Sequence, residues 1–207
     1  MAIDTICDEI AETTRQFRNK GYQFHASKRI LNEAKLQINQ GNFEMAVELL
    51  KKFRESAVQE EQLIGDLHVL ENNLKNIENS RKDLKLVRER IQAGDLGSAK
   101  EALKQIALTS VSETENELKT LRASGAVVGI SADHLAELFA DGKYRKVIID
   151  SEMIHSNVSK LRDAYAKAAS LKKDITSPDL LALYDSGRYE EFIQTGEQMI
   201  DLAETAR

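Results

Sequence analysis

The four histidines are the first residues to consider for metal binding or acid–base chemistry, and they lie far apart: His25, His68, His134 and His155. A zinc site built on one helix places two histidines three or four residues apart, and no pair has that spacing. His134 and His155 belong to one predicted helical hairpin, with Asp133 and Glu152 nearby, and could meet across it. This set is too small for a convincing metal site, so we interpret all four as surface or half-buried side chains.

Cys7 is the single cysteine, so the chain can form neither an internal disulfide nor a cysteine-based zinc site of the usual kind. It falls on the apolar stripe of a predicted first helix, where a thiol behaves as a small hydrophobic group. A catalytic thiol needs a positioned base, and His25, the nearest histidine in sequence, comes with no third group. A lone cysteine is typical of a reducing compartment, and we predict a cytoplasmic protein.

The acidic residues show no arrangement typical of a hydrolytic pair. Glu60 and Glu61 are neighbours on one predicted helix, and Glu113, Glu115 and Glu117 alternate around another. Groups of this kind are usually solvated helix faces. The glycine-rich signatures GxxxxGK(S/T) and GxGxxG, which bind phosphate groups, are missing from the sequence. We therefore predict no catalytic residue, no cofactor and no enzymatic activity.

One basic stripe is a candidate binding surface. Arg81, Lys85 and Arg88 follow one another at i, i+4 and i+7, on one face of a predicted helix, and could bind phosphates or an acidic partner. Asp83 and Glu89 stand beside them, which favours an ordinary solvated helix edge. The chain as a whole has a net charge of −5, whereas general nucleic-acid binders carry a basic surplus. Nucleic-acid binding through this stripe is therefore the alternative hypothesis.

The composition predicts a soluble all-α fold. The chain has 207 residues, 42% hydrophobic and 30% charged, with a single proline, Pro178. Average usage of proline is about 5%, and such scarcity favours long helices. Asp4, Asp8 and Glu9 stand where a secretory signal would carry basic residues, and no apolar run is long enough to span a membrane. We expect neither export nor membrane insertion.

Apolar residues recur every three or four positions through most of the chain, which predicts helices. The predicted helices cover residues 3–20, 22–40, 43–92, 97–122, 131–141, 144–173, 178–186 and a last stretch from 189. Within 43–92, the segment from Leu63 to Ile91 carries a coiled-coil-like heptad seam that could pair with a second copy. The region 43–92 forms either one long helix or two, joined near Gly65 or near Asn79–Ser80.

The 97–122 helix contains one weak point. Thr109, Ser110, Val111 and Ser112 are poor helix formers, and Ser112 with Glu115 has the spacing of a capping box. Two predictions stay open here, a single helix or a break with a new helix from Glu113.

Four glycines punctuate the helices and share a surrounding pattern: Gly41, Gly94, Gly142 and Gly187. Glycine supplies the positive φ that lets a helix reverse at once. The residues at three positions relative to each glycine are predicted to face inward: seven before it, five after it and twelve after it. Two residues after each glycine stands a large residue predicted to cover the apolar end of the turn: Phe43, Leu96, Tyr144 and Tyr189. We predict at least four antiparallel helical hairpins.

The stretches QGNFEMAVELL, AGDLGSAKEAL and SGRYEEFI resemble the turn and second helix of tetratricopeptide repeats, where a glycine, an aromatic residue two positions later and a small residue five positions later recur. Ala46 and Ala99 match the small residue that the family carries five positions after it, and Phe192 departs from that rule. The glycines lie 53, 48 and 45 residues apart, whereas the family repeats every ~34 residues. The resemblance covers about half of the chain. It implies stacked, tetratricopeptide-like hairpins with extended helices that bind a protein or peptide.

The segment 123–130, ASGAVVGI, is uncharged and contains two glycines, so we predict a linker there. The predicted domains are 1–122, with the N-terminal hairpins and the heptad segment, and 131–207, with two further hairpins; one continuous domain is the other option. The predicted function is a non-enzymatic protein-interaction or scaffold module. Neither the partner nor its binding face can be read from the sequence.

Overall fold

The computed structural model describes residues 24–74 and 78–205, together with seven positions nearer the N-terminus, all of them helical: Thr5, Asp8, Ala11, Glu12, Thr14, Arg15 and Asn19. The apolar stripe of the predicted first helix, including Cys7, lies outside the described residues.

In the described part of the chain all regular structure is α-helical and no strand occurs, which confirms the predicted fold class. The helices are α1 Ala26–Asn39, α2 Phe43–Asn73, α3 Glu78–Ala93, α4 Leu96–Ala123, α5 Asp133–Ala140, α6 Tyr144–Leu171, α7 Pro178–Asp185 and α8 Tyr189–Thr205. Of these helices, none combines the length and the apolar character needed to cross a bilayer.

The four predicted glycine turns have one geometry. Gly41, Gly94, Gly142 and Gly187 each follow a helix with φ between 72° and 79°. The N–H of each glycine donates to the carbonyl three residues earlier, and the next N–H donates to the carbonyl five residues earlier. This pair of bonds is a Schellman motif. The carbonyl of the residue after each glycine then accepts the first hydrogen bond of the following helix, so each turn between helices is short.

The predicted inward positions around these turns are confirmed in part. Every side chain seven before and five after a glycine is buried: Ala34, Val87, Leu135 and Leu180 before, and Ala46, Ala99, Val147 and Phe192 after. Two other positions differ from the prediction, because Phe43 and Met199 are 52% and 47% exposed. Phe43, two after Gly41, therefore does not cover the first turn.

The heptad region consists of two helices, α2 and α3, which pack against each other. Gly65 lies inside α2 without interrupting it, because the buried stripe continues past it through Leu67 and Leu70. The seam residues Leu84, Val87 and Ile91 of α3 are buried as well. The described residues of the seam are thus covered within the chain, and pairing with a second copy stays a prediction.

Helix α4 runs without the break that was one of the two predictions for residues 109–112. Its buried side chains continue at helical spacing through this region: Ala99, Leu103, Ala107, Thr114, Leu118 and Leu121. The poor helix formers Thr109 and Ser112 are exposed. Burial of the opposite, apolar face therefore outweighs their low helix propensity.

The described chain forms two compact units, 1–106 and 107–207, and the boundary falls inside α4. In the first unit α1 packs on α2, with Ala34 and Leu50 buried together. In the second unit α5 packs on α6, and α8 packs on both α6 and α7. The predicted linker 123–130 falls inside the second unit, where Ala126 is buried with Leu121 and Leu135.

Candidate functional site

The candidate site is built around the non-helical segment 126–132, which joins α4 to α5 in the second unit. Tyrosine hydroxyls attach this region to the later helices. The N–H of Val127 donates to the Tyr189 hydroxyl at 2.7 Å, and the Tyr165 hydroxyl donates to the Ser124 carbonyl at 2.6 Å. Both rings lie in an aromatic cluster, with centroids 5.3 Å apart. The segment is therefore held at one edge by the buried Tyr189 and the half-buried Tyr165.

A cleft of about 490 Å³ opens between this segment, α6 and the α7–α8 turn. Its apolar lining comes from Val127, Ile130, Leu161 and Ala164. Its charged lining comes from Lys160 on one side and from residues 188–191 on the other. A concave apolar surface with a few polar groups at its edge is the usual form of a binding site.

The segment along this cleft presents free backbone groups. Among the described residues, nothing hydrogen-bonds to the N–H groups of 128–130 or to the carbonyls of 127–129. Exposure alternates, since Val127 and Gly129 are exposed while Val128 and Ile130 pack against the core. This period of two is that of an extended backbone. The segment thus resembles an unpaired edge strand.

The charges at the cleft differ in how they are paired. Arg188 and Glu191 form an ion pair, in which the Arg188 Nε donates to a Glu191 oxygen at 2.8 Å. This hydrogen bonding raises the pKa of Arg188 and lowers the pKa of Glu191. Lys160 and Glu190 form no ion pair with any described residue. The cleft therefore has one available cation and one available anion.

A second arrangement has the connectivity of a hydrolytic triad. His155 Nδ1 lies 2.8 Å from a Glu117 oxygen, and His155 Nε2 lies 3.1 Å from the Thr114 hydroxyl. A carboxylate, an imidazole and a hydroxyl in this order can activate a nucleophile. However, Thr114 is only 1% exposed, and its hydroxyl donates back to the Ser110 carbonyl at 2.7 Å. A substrate therefore has no access to the Thr114 hydroxyl. The hydrogen bonds of His155 to Glu117 and Thr114 instead connect α6 to α4.

The other predicted histidine contacts are absent from the described structure. His134 has its own partner, Asp150, at 3.5 Å, and does not meet His155. The described residues contain no group of three side chains that could hold a metal ion. His25 donates its backbone N–H to the Glu60 carboxylate, and His68 is exposed.

Glu60 was predicted to lie on a solvated face, and this prediction is wrong. The side chain is fully buried. One carboxylate oxygen accepts from the N–H groups of His25 and Ala26, at 2.6 and 3.2 Å. The other accepts from the N–H and the hydroxyl of Ser27, at 3.0 and 2.7 Å. Glu60 therefore caps the N-terminus of α1 from α2, which is a structural role.

In the basic stripe, the two side chains that the structure describes each lie beside an acidic side chain. Arg88 pairs with Glu71 of α2 at 2.5 Å, and Lys85 lies 3.7 Å from Glu89. The side chain of Arg81 lies outside the described residues. This pairing agrees with the interpretation of the stripe as a solvated helix edge.

Sequence reasoning missed the cleft, although it singled out two of the three regions that form it. ASGAVVGI was interpreted as a linker and Gly187 as a turn, and nothing in the sequence shows that they meet. In the structure Val127 lies so close to Gly187 that a Cβ added there would be 2.9 Å from the Val127 Cβ.

No family model, curated protein or solved structure matches this chain. The resemblance to tetratricopeptide repeats remains a prediction that depends on the sequence around the turns.

Proposed function

We propose that this protein is a non-enzymatic interaction module that holds a short segment of a partner protein in the cleft of its second unit. The observation that carries the proposal is the combination of an apolar lining with free backbone groups along residues 127–130. A small polar metabolite would leave the apolar lining unused. A partner segment can fill the cleft and satisfy the backbone groups as well.

The burial of Thr114 supports a non-enzymatic role. Its hydroxyl is closed off between α4 and α6, so the one triad-like arrangement in the described residues is removed from any substrate. The nucleic-acid alternative through Arg81, Lys85 and Arg88 remains a prediction of the sequence. Lys85 and Arg88 each lie beside an acidic side chain, which partly offsets their positive charge towards phosphates.

Affinity capture with matched variants tests the proposal. Val127→Lys places a charge in the apolar cleft, and Val58→Lys is the control, because Val58 is an equally accessible valine of α2 in the other unit; the two are 47% and 57% exposed. We expect at least one protein to be captured by the wild type and by Val58→Lys but lost with Val127→Lys. If every captured protein binds both variants equally, the cleft is not the docking site and the proposal is wrong.

A further inference from the structure

The occupant of the cleft can be specified further if the proposed function is correct. Three features of the second unit restrict its chemistry: the free backbone groups of 127–130, the apolar lining beneath them, and the charge of the surface that continues from Glu190 along α8.

The free backbone groups call for a partner that offers donors and acceptors at the spacing of a polypeptide. Val127 and Gly129 are exposed, and the N–H groups of 128–130 and the carbonyls of 127–129 have no hydrogen-bond partner among the described residues. An extended peptide laid beside an exposed strand edge satisfies such groups in pairs, and its alternate side chains point to one side. One of those side chains would enter the apolar cleft.

The charge of α8 restricts the flanking residues of that peptide. The helix has five acidic residues and no lysine or arginine: Glu190, Glu191, Glu197, Asp201 and Glu204. Glu190 lines the cleft and also a second depression, of about 400 Å³, which Glu197 and Asp201 line further along α8. Lys167 pairs with Glu197 at 2.8 Å and Arg188 with Glu191, whereas Glu190 has no ion-pair partner in the described chain. The depression along α8 is therefore lined by three acidic side chains and one lysine, Lys167, whereas the cleft itself also contains Lys160.

We infer that the cleft binds an extended peptide with an apolar side chain at its centre and basic residues at its flank. The peptide backbone pairs with residues 127–130, the apolar side chain fills the space lined by Leu161 and Ala164, and the basic residues lie along α8 towards Glu190. The acidic side chains along α8 complement the basic flank of this peptide.

Nuclear magnetic resonance with synthetic peptides tests the inference on the full chain. The probe is a short peptide of alternating valine and threonine with lysine at both ends, and its charge control has glutamate at both ends. The lysine peptide should shift the amide signals of Val128, Gly129 and Ile130 in a saturable way. The glutamate peptide should bind about tenfold more weakly.

Methylation of the peptide nitrogens tests the backbone pairing. Alternate N–H groups of an extended strand point to opposite edges, so methylating one alternate set should weaken binding about tenfold, the scale of a lost pair of hydrogen bonds. Methylating the other set should leave binding unchanged. If neither set matters, or if the lysine peptide does not bind, the inference is wrong.

Charge reversal supplies the matched protein variants. Glu190→Lys should remove the preference for the lysine peptide, whereas Glu113→Lys, an exposed position of α4 that does not line the cleft, should keep it. If the two variants have equal effects, the basic residues of the peptide do not lie along α8 near Glu190. If the peptide tests fail but Val127→Lys still abolishes capture, the proposed function stands and the cleft binds a different ligand. If Val127→Lys does not affect capture, both the proposed function and this inference are wrong.

Discussion

Among single residues, Glu60 has a structural role that its type would not suggest. A buried carboxylate is costly unless hydrogen bonds compensate its lost hydration, and Glu60 accepts four. Glu60→Gln replaces one acceptor oxygen by an NH₂ group that faces N–H donors. We expect the free energy of unfolding in urea to fall by about 3 kcal/mol.

The control for this variant is Glu55→Gln, an exposed position on the same helix. A surface substitution of this kind should change stability by no more than about 0.5 kcal/mol. If the two variants are equally stable, Glu60 does not cap α1 in solution.

Tyr184 gives the second residue-scale prediction, which concerns alkaline pH. Burial, followed by the neighbouring Tyr165 hydroxyl and nearby charges, raises the pKa of Tyr184 from 10.0 to about 12. The folded state therefore holds this proton at a pH at which the unfolded chain has lost it. The stability that the neutral Tyr184 contributes should be complete below pH 10 and decline as the pH rises towards 12.

Ultraviolet titration of tyrosinate measures this effect directly. Tyr184→Phe should remove the most alkaline step of the folded-state curve, and Tyr144→Phe, in another part of the second unit, should leave that step in place. A curve that keeps this step in Tyr184→Phe would show that another tyrosine is responsible.

The sequence contained a signal for the burial of Glu60, but its position next to Glu61 suggested a solvated face instead. Ala57, Glu60, Leu63, Leu67 and Leu70 follow one another at steps of three and four, so Glu60 occupies a position of the apolar stripe. Thr114 interrupts the buried stripe of α4 in the same way. A polar residue on an apolar stripe is a candidate for a buried hydrogen-bonded group. Its partner cannot be predicted, because that partner comes from another helix.

At the scale of elements, the four glycine turns share a backbone conformation but not their surroundings. A Cβ at Gly142 would meet nothing within 4 Å, whereas a Cβ at Gly187 would lie 2.9 Å from the Val127 Cβ and 3.3 Å from the Val127 carbonyl oxygen. Gly142→Ala should therefore cost only the strain of positive φ, about 1 kcal/mol. Gly187→Ala adds a steric conflict beside the cleft and should cost about 2 kcal/mol or more.

Thermal unfolding of the two glycine variants distinguishes these effects. A larger loss for Gly142→Ala than for Gly187→Ala would contradict the packing of segment 126–132 against the α7–α8 turn.

The elements were predictable where one residue decides the local structure. Glycine at each turn and Pro178 at the start of α7 are signals of this kind. Propensity was misleading in α4, since Thr109 and Ser112 are exposed and the buried stripe on the other face keeps the helix intact. Helix continuity there depends on tertiary packing, which a local pattern does not contain.

At the scale of the whole molecule, charge should govern how a partner approaches. The net charge of −5 and the acidic α8 act in the same direction on a basic peptide. The association rate of the lysine peptide should fall several-fold between about 0.01 and about 0.15 M salt, since the screening length shortens from ~30 to ~8 Å. An uncharged peptide of the same apolar pattern should show almost no change. Stopped-flow fluorescence with a labelled peptide measures both rates, and equal salt dependence would rule out electrostatic attraction.

The whole-molecule organisation was the least predictable level. The uncharged segment 123–130 looks like a linker by composition, yet the division into units falls inside α4. Ala126 and Val128 pack on side chains of the second unit that come from residues up to about 30 positions later, such as Ile154 and Val158. The cleft depends on these long-range contacts, and a single sequence does not specify them.

The position of Glu60 also has a consequence for biosynthesis. α1 has no side-chain cap of its own, and its first N–H groups depend on a carboxylate 33 to 35 residues later in the chain. During translation α1 emerges first and cannot complete its N-terminus until much of α2 has followed. We expect the cap to form late, so Ser27→Ala should accelerate unfolding and leave the refolding rate nearly unchanged in stopped-flow measurements. If refolding instead slows in proportion to the loss of stability, the cap belongs to the folding nucleus. The two helices would then assemble together once both have left the ribosome.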